Sequence, residues 1–221
     1  SPIPNPQSPI PNPHIILIII KIFFFFKHLE KSIVKINIKL KNIFNNNLMN
    51  QNRILVAFFS MSGETYNVGF VQDGNTKLLA NCIAGLVRGD LFQIIGNNKY
   101  PDGHMDRINQ ASREMSQNLR PKLIYNVNNF GQYNTVFIGY PIWYSKPPMA
   151  VFTFLESYDF TNKKVYLFCT HEGSGSSGTF SLIKNKLPTA YVSTDGLEMF
   201  GSQARTPAAK TEVQNWLRRL R

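Results

Sequence analysis

Past residue 53 the apolar residues come in short unbroken runs. Residues 54–59 read Ile-Leu-Val-Ala-Phe-Phe with no polar interruption. A run this short, without alternation, predicts a strand buried on both faces. Residues 90–95, 135–140 and 164–170 predict three more strands, and 191–192 with 197–200 predict a fifth in two pieces. Between them the spacing turns helical. Leu78, Leu79, Ile83, Leu86 and Val87 fall on one stripe, with Asn75 or Thr76 at its start and Gly89 at its stop. Further helices are predicted over 104–119, 149–157, 179–187 and 206–220, with Pro147, Pro148 and Pro207 suited to first turns. Strand and helix alternate throughout, which predicts an α/β fold, a doubly wound five-stranded parallel sheet. Ligands of such folds sit outside the C-terminal ends of the strands.

The first 48 residues break this pattern. Ile, Asn, Lys and Phe fill 30 of the 48 positions, after an imperfect Pro repeat over 1–13. The apolar run 15–26, broken only by Lys21, is shorter than the ~20 residues that span a bilayer as a helix. No basic segment precedes it and no small-residue cleavage site follows it, so it does not read as a signal peptide. Residues 27–47 show no clean helical period. The first Met is Met49, directly before the first good strand. The favoured reading is that 1–48 is a low-complexity leader outside the fold, upstream sequence read into the frame. The second reading is a membrane-associating anchor, and the third is a folded element of the domain. The domain is then 49–221.

Three loops at the predicted strand ends carry candidate chemistry. The first is Ser60-Met61-Ser62-Gly63-Glu64-Thr65. Small hydroxyl residues around a Gly can form a nest of N–H groups that holds a phosphate, helped by a helix N-terminus. The G-x-x-x-x-G-K-[ST] spacing of nucleoside triphosphatases is absent. The second is Pro141-Ile142-Trp143-Tyr144, where a flat aromatic face can stack on a planar heterocycle. The third is Thr170-His171-Glu172-Gly173-Ser174-Gly175, whose glycines permit close backbone approach. The alternatives are an ordinary polar turn, a Trp packed in the core and a ligand-free surface connection.

Together these loops resemble a flavodoxin. The family's phosphate-loop pattern, T/S-x-T/S-G-x-T, is met by residues 60–65. Similar stretches are Tyr66-Asn67-Val68-Gly69, Gly74-Asn75-Thr76, Gly139-Tyr140-Pro141-Ile142-Trp143, residues 151–156 and residues 169–175. They point to a subfamily with an insertion after the phosphate loop. The resemblance implies sheet order 2-1-3-4-5 and FMN as cofactor. By position, Ser60, Ser62, Gly63 and Thr65 would hold the phosphate, joined by Asn75 and Thr76 with residues 64–74 looping out. Pro141, Ile142, Trp143 and Tyr144 would flank the flavin ring, and Thr170, His171, Gly173, Ser174 and Gly175 would line its other edge. An aromatic wall with few positive charges would lower the reduction potential. The implied function is low-potential electron transfer; an NAD(P)H-dependent quinone reductase and a flavin-free module are the alternatives.

Charge and thiols refine this picture. The chain carries +11, of which six Lys and one Glu put +5 in the leader. The remaining 18 basic and 12 acidic residues leave +6 on the domain, so an acidic redox partner is steered best. Basic residues are scattered with no aromatic interleaving, which argues against nucleic acid. Membrane association is expected only if the leader belongs to the protein. Cys82 and Cys169 are too few for a disulfide framework and suit the cytoplasm. Cys169 reads as a small core residue, and His104 as solvated. Residues 173–178 match G-x-G-x-x-G but follow the fourth strand instead of opening the first crossover.

Overall fold

A computed structural model describes residues 13–49 and 53–220. The Pro repeat over 1–12 lies outside the described residues. The chain divides into two units, 1–51 and 52–221.

The described residues of the first unit form one helix, α1 (Pro13–Met49). This differs from the expectation for 27–47. The segment lacks a helical apolar period, but after Pro13 it also lacks any Gly or Pro to stop a helix. Its described apolar side chains are exposed, among them Phe23, Phe24, Phe25 and Phe26. Among the described residues, no helix is long and apolar enough to cross a membrane.

The second unit runs β1 (Arg53–Phe58), β2 (Gly63–Thr65), β3 (Gly69–Val71), α2 (Asn75–Val87), β4 (Asp90–Gln93), α3 (His104–Ser116), β5 (Tyr133–Pro141), α4 (Met149–Ser157), β6 (Lys164–His171), α5 (Thr179–Lys186), β7 (Tyr191–Val192), β8 (Leu197–Phe200) and α6 (Ala208–Arg219). The main sheet has order β4-β1-β5-β6-β7, and every pairing in it is parallel. In crossover terms this is 2-1-3-4-5. The fifth strand is split: β7 pairs with the start of β6 and β8 with its end.

Alternation along the strands explains the unbroken apolar runs. Leu55, Ala57 and Phe59 enter the core shared with α4 and α5, whereas Val56 and Phe58 enter the core under α2 and α6. Both faces are covered, so the positions of β1 from Leu55 onward are all apolar. Gly139 on β5 is required by packing: a Cβ there would overlap the Phe168 ring of β6. Trp216 of α6 is fully buried and donates its indole N–H to the Asp195 carbonyl at 3.0 Å. The parallel arrangement brings the C-terminal ends of β1, β5 and β6 to one edge, and the three chemically loaded loops leave from there.

Candidate functional site

The loop after β1 is built against the start of α2. Gly74, the residue before that helix, lies so close to the loop that a Cβ would overlap the Met61 carbonyl and the Ser60 hydroxyl. Ser60 Oγ accepts the Lys77 N–H at 3.1 Å and caps the helix from a distance. Helix geometry leaves the Asn75 and Thr76 N–H groups without intrahelical acceptors. Both side chains are buried, at 7% and 1% exposure. Thr76 Oγ1 lies 2.7 Å from Thr170 Oγ1 at the end of β6, a bond that ties the first loop to the third.

Residues 63–71 do not simply loop out. They form an antiparallel hairpin, β2 with β3, in which Gly63 pairs with Val71. Arg107 of α3 fastens it. Arg107 is 4% exposed, and its guanidinium donates to four main-chain carbonyls: Ser62 (2.8 Å), Glu64 (3.1 Å), Pro101 (3.2 Å) and Asp102 (2.9 Å). Burial holds its pKa below the usual value, opposed by the Asp102 and Glu64 carboxylates. The Glu64 carboxylate accepts the His104 N–H at 3.0 Å, at the first turn of α3. His104 stacks on Tyr66 with centroids 5.5 Å apart. It is half-buried, with one face covered by that ring. Burial, then the Arg107 charge, pushes its pKa down.

The loop after β5 carries the aromatic wall. Trp143 is 8% exposed and meets Phe59 and Tyr100 edge to face, at 5.4 and 5.2 Å. It serves both readings, since it packs in the core and also lines the cleft. Tyr100 is held in turn by buried Glu114, which accepts its O–H at 2.5 Å. Trp143 and Lys146 exchange both main-chain hydrogen bonds around a two-residue turn. Tyr144 and Ser145 at its centre have φ of +45° and +59°. A Tyr in the left-handed region is strained, and this one is held 54% exposed at the mouth of the cleft.

The loop after β6 begins inside the strand. Thr170 and His171 are buried. His171 packs on Phe200 at 4.6 Å, and its Nδ1 accepts the Gly173 N–H at 3.0 Å. Nδ1 is therefore unprotonated, and burial keeps the pKa of this imidazole below its ordinary value. Burial raises the pKa of Glu172. Cys169 is fully buried, and burial likewise pushes its thiol up, which makes it inert.

One cleft of about 380 Å³ joins these elements. Of the residues expected from the sequence, Ser60, Thr65, Asn75, Thr76, Pro141, Ile142, Trp143, Tyr144, Thr170, His171 and Ser174 line it. Four do not. Ser62 faces a second cavity on the other side of the loop. Gly63, at φ +98°, opens the hairpin, where a Cβ would press on Arg107 and the Asp102 carbonyl. Gly173 turns toward His171, and Gly175 faces the Glu198 carboxylate. The cleft also contains Met61, Tyr66, His104, Met105, Arg107, Ile108 and Glu172. Sequence reasoning missed most of these because hairpin and α3 approach the cleft through tertiary contacts. Met61, Tyr66 and Glu172 lie inside the loop stretches that carry the resemblance and could have been found. Arg107 brings one buried positive charge to the lining of the cleft. Among the described residues, no group of His, Cys, Asp and Glu could hold a metal ion.

Residues 53–220 match the family model described as Flavodoxin. Among curated proteins, none matches. Solved structures do. A candidate flavoprotein of Bacteroides uniformis is 27% identical, with TM-score 0.60 over 76% of this chain and 98% of that one. Another, from Bacteroides eggerthii, is 29% identical, with TM-score 0.59 over 75% and 96%. A flavoprotein of Lactobacillus acidophilus, solved in complex with FMN, is 18% identical, with TM-score 0.56 over 75% and 99%; at that identity the likeness is one of fold.

Proposed function

This chain belongs to the flavodoxin family, and from that premise we propose that it binds FMN in the cleft and acts in low-potential electron transfer. The observation that carries this reading is the polarity of the cleft. The N-terminus of α2 and the hydroxyls of Ser60, Thr76 and Thr170 share one cleft with the aromatic side chains of Trp143, Tyr144 and Tyr66. This donor set fits a phosphorylated flavin: N–H and O–H groups for an anion, flat apolar faces for a ring.

The roles divide accordingly. The Asn75 and Thr76 N–H groups, the Asn75 amide and the hydroxyls of Ser60, Thr65 and Thr76 would hold the phosphate. Trp143, fixed by Phe59 and Tyr100, and Tyr144, fixed by its tight turn, would orient the ring and exclude water from it. Thr170, His171 and Ser174 would line the opposite edge. Bound FMN supplies one- and two-electron chemistry. Aromatic walls and the Glu172 carboxylate oppose added negative charge on the ring and favour a low potential. The buried Arg107 charge acts in the opposite sense. The +6 on the domain favours an acidic redox partner, and two free thiols suit a reducing cytoplasm.

The test is titration of the whole chain with FMN, followed by flavin fluorescence. Saturable quenching near one FMN per chain is expected; a folded sample that leaves micromolar FMN unquenched overturns the reading. A redox titration follows, and a bound potential at or above that of free FMN removes the low-potential part. The second reading, an NAD(P)H-dependent quinone reductase, draws on Tyr66, Met105 and Ile108, which extend the apolar wall beyond the three loops. NAD(P)H oxidation by the FMN-loaded protein with a quinone present would favour it.

A further inference from the structure

The phosphate end of the cleft has a cation behind it. Arg205 lies in the short 3-10 turn Gln203–Arg205, between β8 and α6. Its Nε donates to Asn75 Oδ1 at 2.9 Å, and its Nη2 donates to the Asp73 carbonyl. The guanidinium thus straddles Gly74, the residue before α2, and holds the positions on either side. With Oδ1 occupied by a donor, the Asn75 amide has one orientation open, with Nδ2 directed away from Arg205. That Nδ2 meets the open side of Gly201, where a Cβ would overlap both Asn75 Nδ2 and the Glu172 carboxylate. Asn75 and Glu172 both line the cleft. Among the described residues, no carboxylate lies within ion-pair distance of Arg205.

An anion with only acceptor oxygens is served by the NH2 face of an Asn and repelled by its carbonyl face. An unset Asn amide presents either. A positive charge one residue behind the seat adds to the partial charge of the helix N-terminus. Nothing in the loop sequence supplies such a charge, because 60–65 and 74–76 contain no Lys or Arg.

We propose that Arg205 is the positioning residue of the phosphate seat: it sets the Asn75 amide with its donor face into the cleft and makes the site select FMN over riboflavin. This rests on the flavin reading above and specifies how its anionic end is recognised.

The experiment compares FMN with riboflavin on the full chain, in the unchanged protein and in Arg205→Gln and Asn75→Asp. The unchanged protein is expected to prefer FMN. Arg205→Gln should weaken FMN by about tenfold or more and leave riboflavin within about twofold, since only FMN carries the charge. Asn75→Asp keeps a partner for Arg205 but turns an acceptor to the seat, and should show the same selective loss. Inorganic phosphate should raise the melting temperature of the flavin-free protein, and this rise should shrink in Arg205→Gln. Equal losses for both flavins, or none, overturn the proposal, as does an unchanged protein that binds both flavins alike. If the unchanged protein binds neither flavin, the flavin reading itself falls. Should Arg205→Gln not fold, Asn75→Asp and the phosphate response of the unchanged protein decide alone: an Asn75→Asp variant that keeps its FMN preference overturns it.

Discussion

Tyr144 and His171 show how single residues trade stability for a shaped cleft. Tyr144 sits at φ +45°, a region where Asn is far more at ease. Tyr144→Asn should therefore stabilise the fold by about 1 kcal/mol, seen as a higher denaturation midpoint, while weakening FMN. A variant that is less stable than the parent would show that the ring is held by packing and not strained. His171 accepts the Gly173 N–H through unprotonated Nδ1, and its folded pKa lies below the ordinary 6.5. In acid the unfolded chain takes up this proton before the folded one does. Its stabilising effect is complete above the ordinary value and is lost as pH falls toward the folded pKa. His104 acts in the same direction, whereas Glu172, with a raised pKa, opposes both. The melting temperature of the parent should thus fall more between about pH 7 and pH 5 than that of His171→Gln. Parallel pH curves for the two would remove His171 from the effect.

At the scale of elements, the hairpin β2–β3 is the least obvious piece of the domain. A two-stranded hairpin alone is marginal in water. This one exposes Phe70 at 74% and Tyr66 at 55%, so its own apolar contacts cannot hold it. Arg107 can, because its guanidinium bonds two hairpin-side carbonyls and two from the segment before α3. Arg107→Leu should cost about 2–4 kcal/mol, since several carbonyls lose their donor at once. The loss should be local first: chymotrypsin should cut after Tyr66 or Phe70 faster in the variant than in the parent. Unchanged cleavage would mean that the hairpin is anchored elsewhere. The pieces of the split fifth strand, by contrast, are visible in Tyr191-Val192 and the mostly apolar run 197–200. Register on β6 explains why both survive, since each meets a different stretch of the same neighbour.

For the whole molecule, net charge is the property most open to measurement. The domain carries 18 basic and 12 acidic residues beyond the leader. If the positive field steers electron-transfer partners, the reduced protein should pass electrons to anionic ferricyanide more slowly as salt rises. The rate with cationic hexaamminecobalt(III) should move the other way. The same salt dependence for both oxidants would show that local charges at the cleft outweigh the net field. The helix α1 belongs to a separate unit, and its exposed Phe residues make the leader the natural place to look for membrane or partner association.

The amino-acid sequence by itself determined the alternation of the main-sheet strands and their helices, the parallel sheet and the three loops at its edge, though not α1 or the β2–β3 hairpin. Strands buried on both faces must be continuously apolar, and helices must carry one stripe. Eleven of the fifteen expected site residues line the cleft for the same reason, since they leave the ends of those strands. Only the tertiary structure decided what closes the cleft and what charges it. Arg107 and Arg205 bond mainly to carbonyls and one amide at the far side of long sequence gaps, 43 residues from Arg107 to Glu64 and 130 from Arg205 to Asn75. Every residue offers a main-chain carbonyl, so such an acceptor leaves no mark on the sequence, and only the folded chain shows which cation it meets.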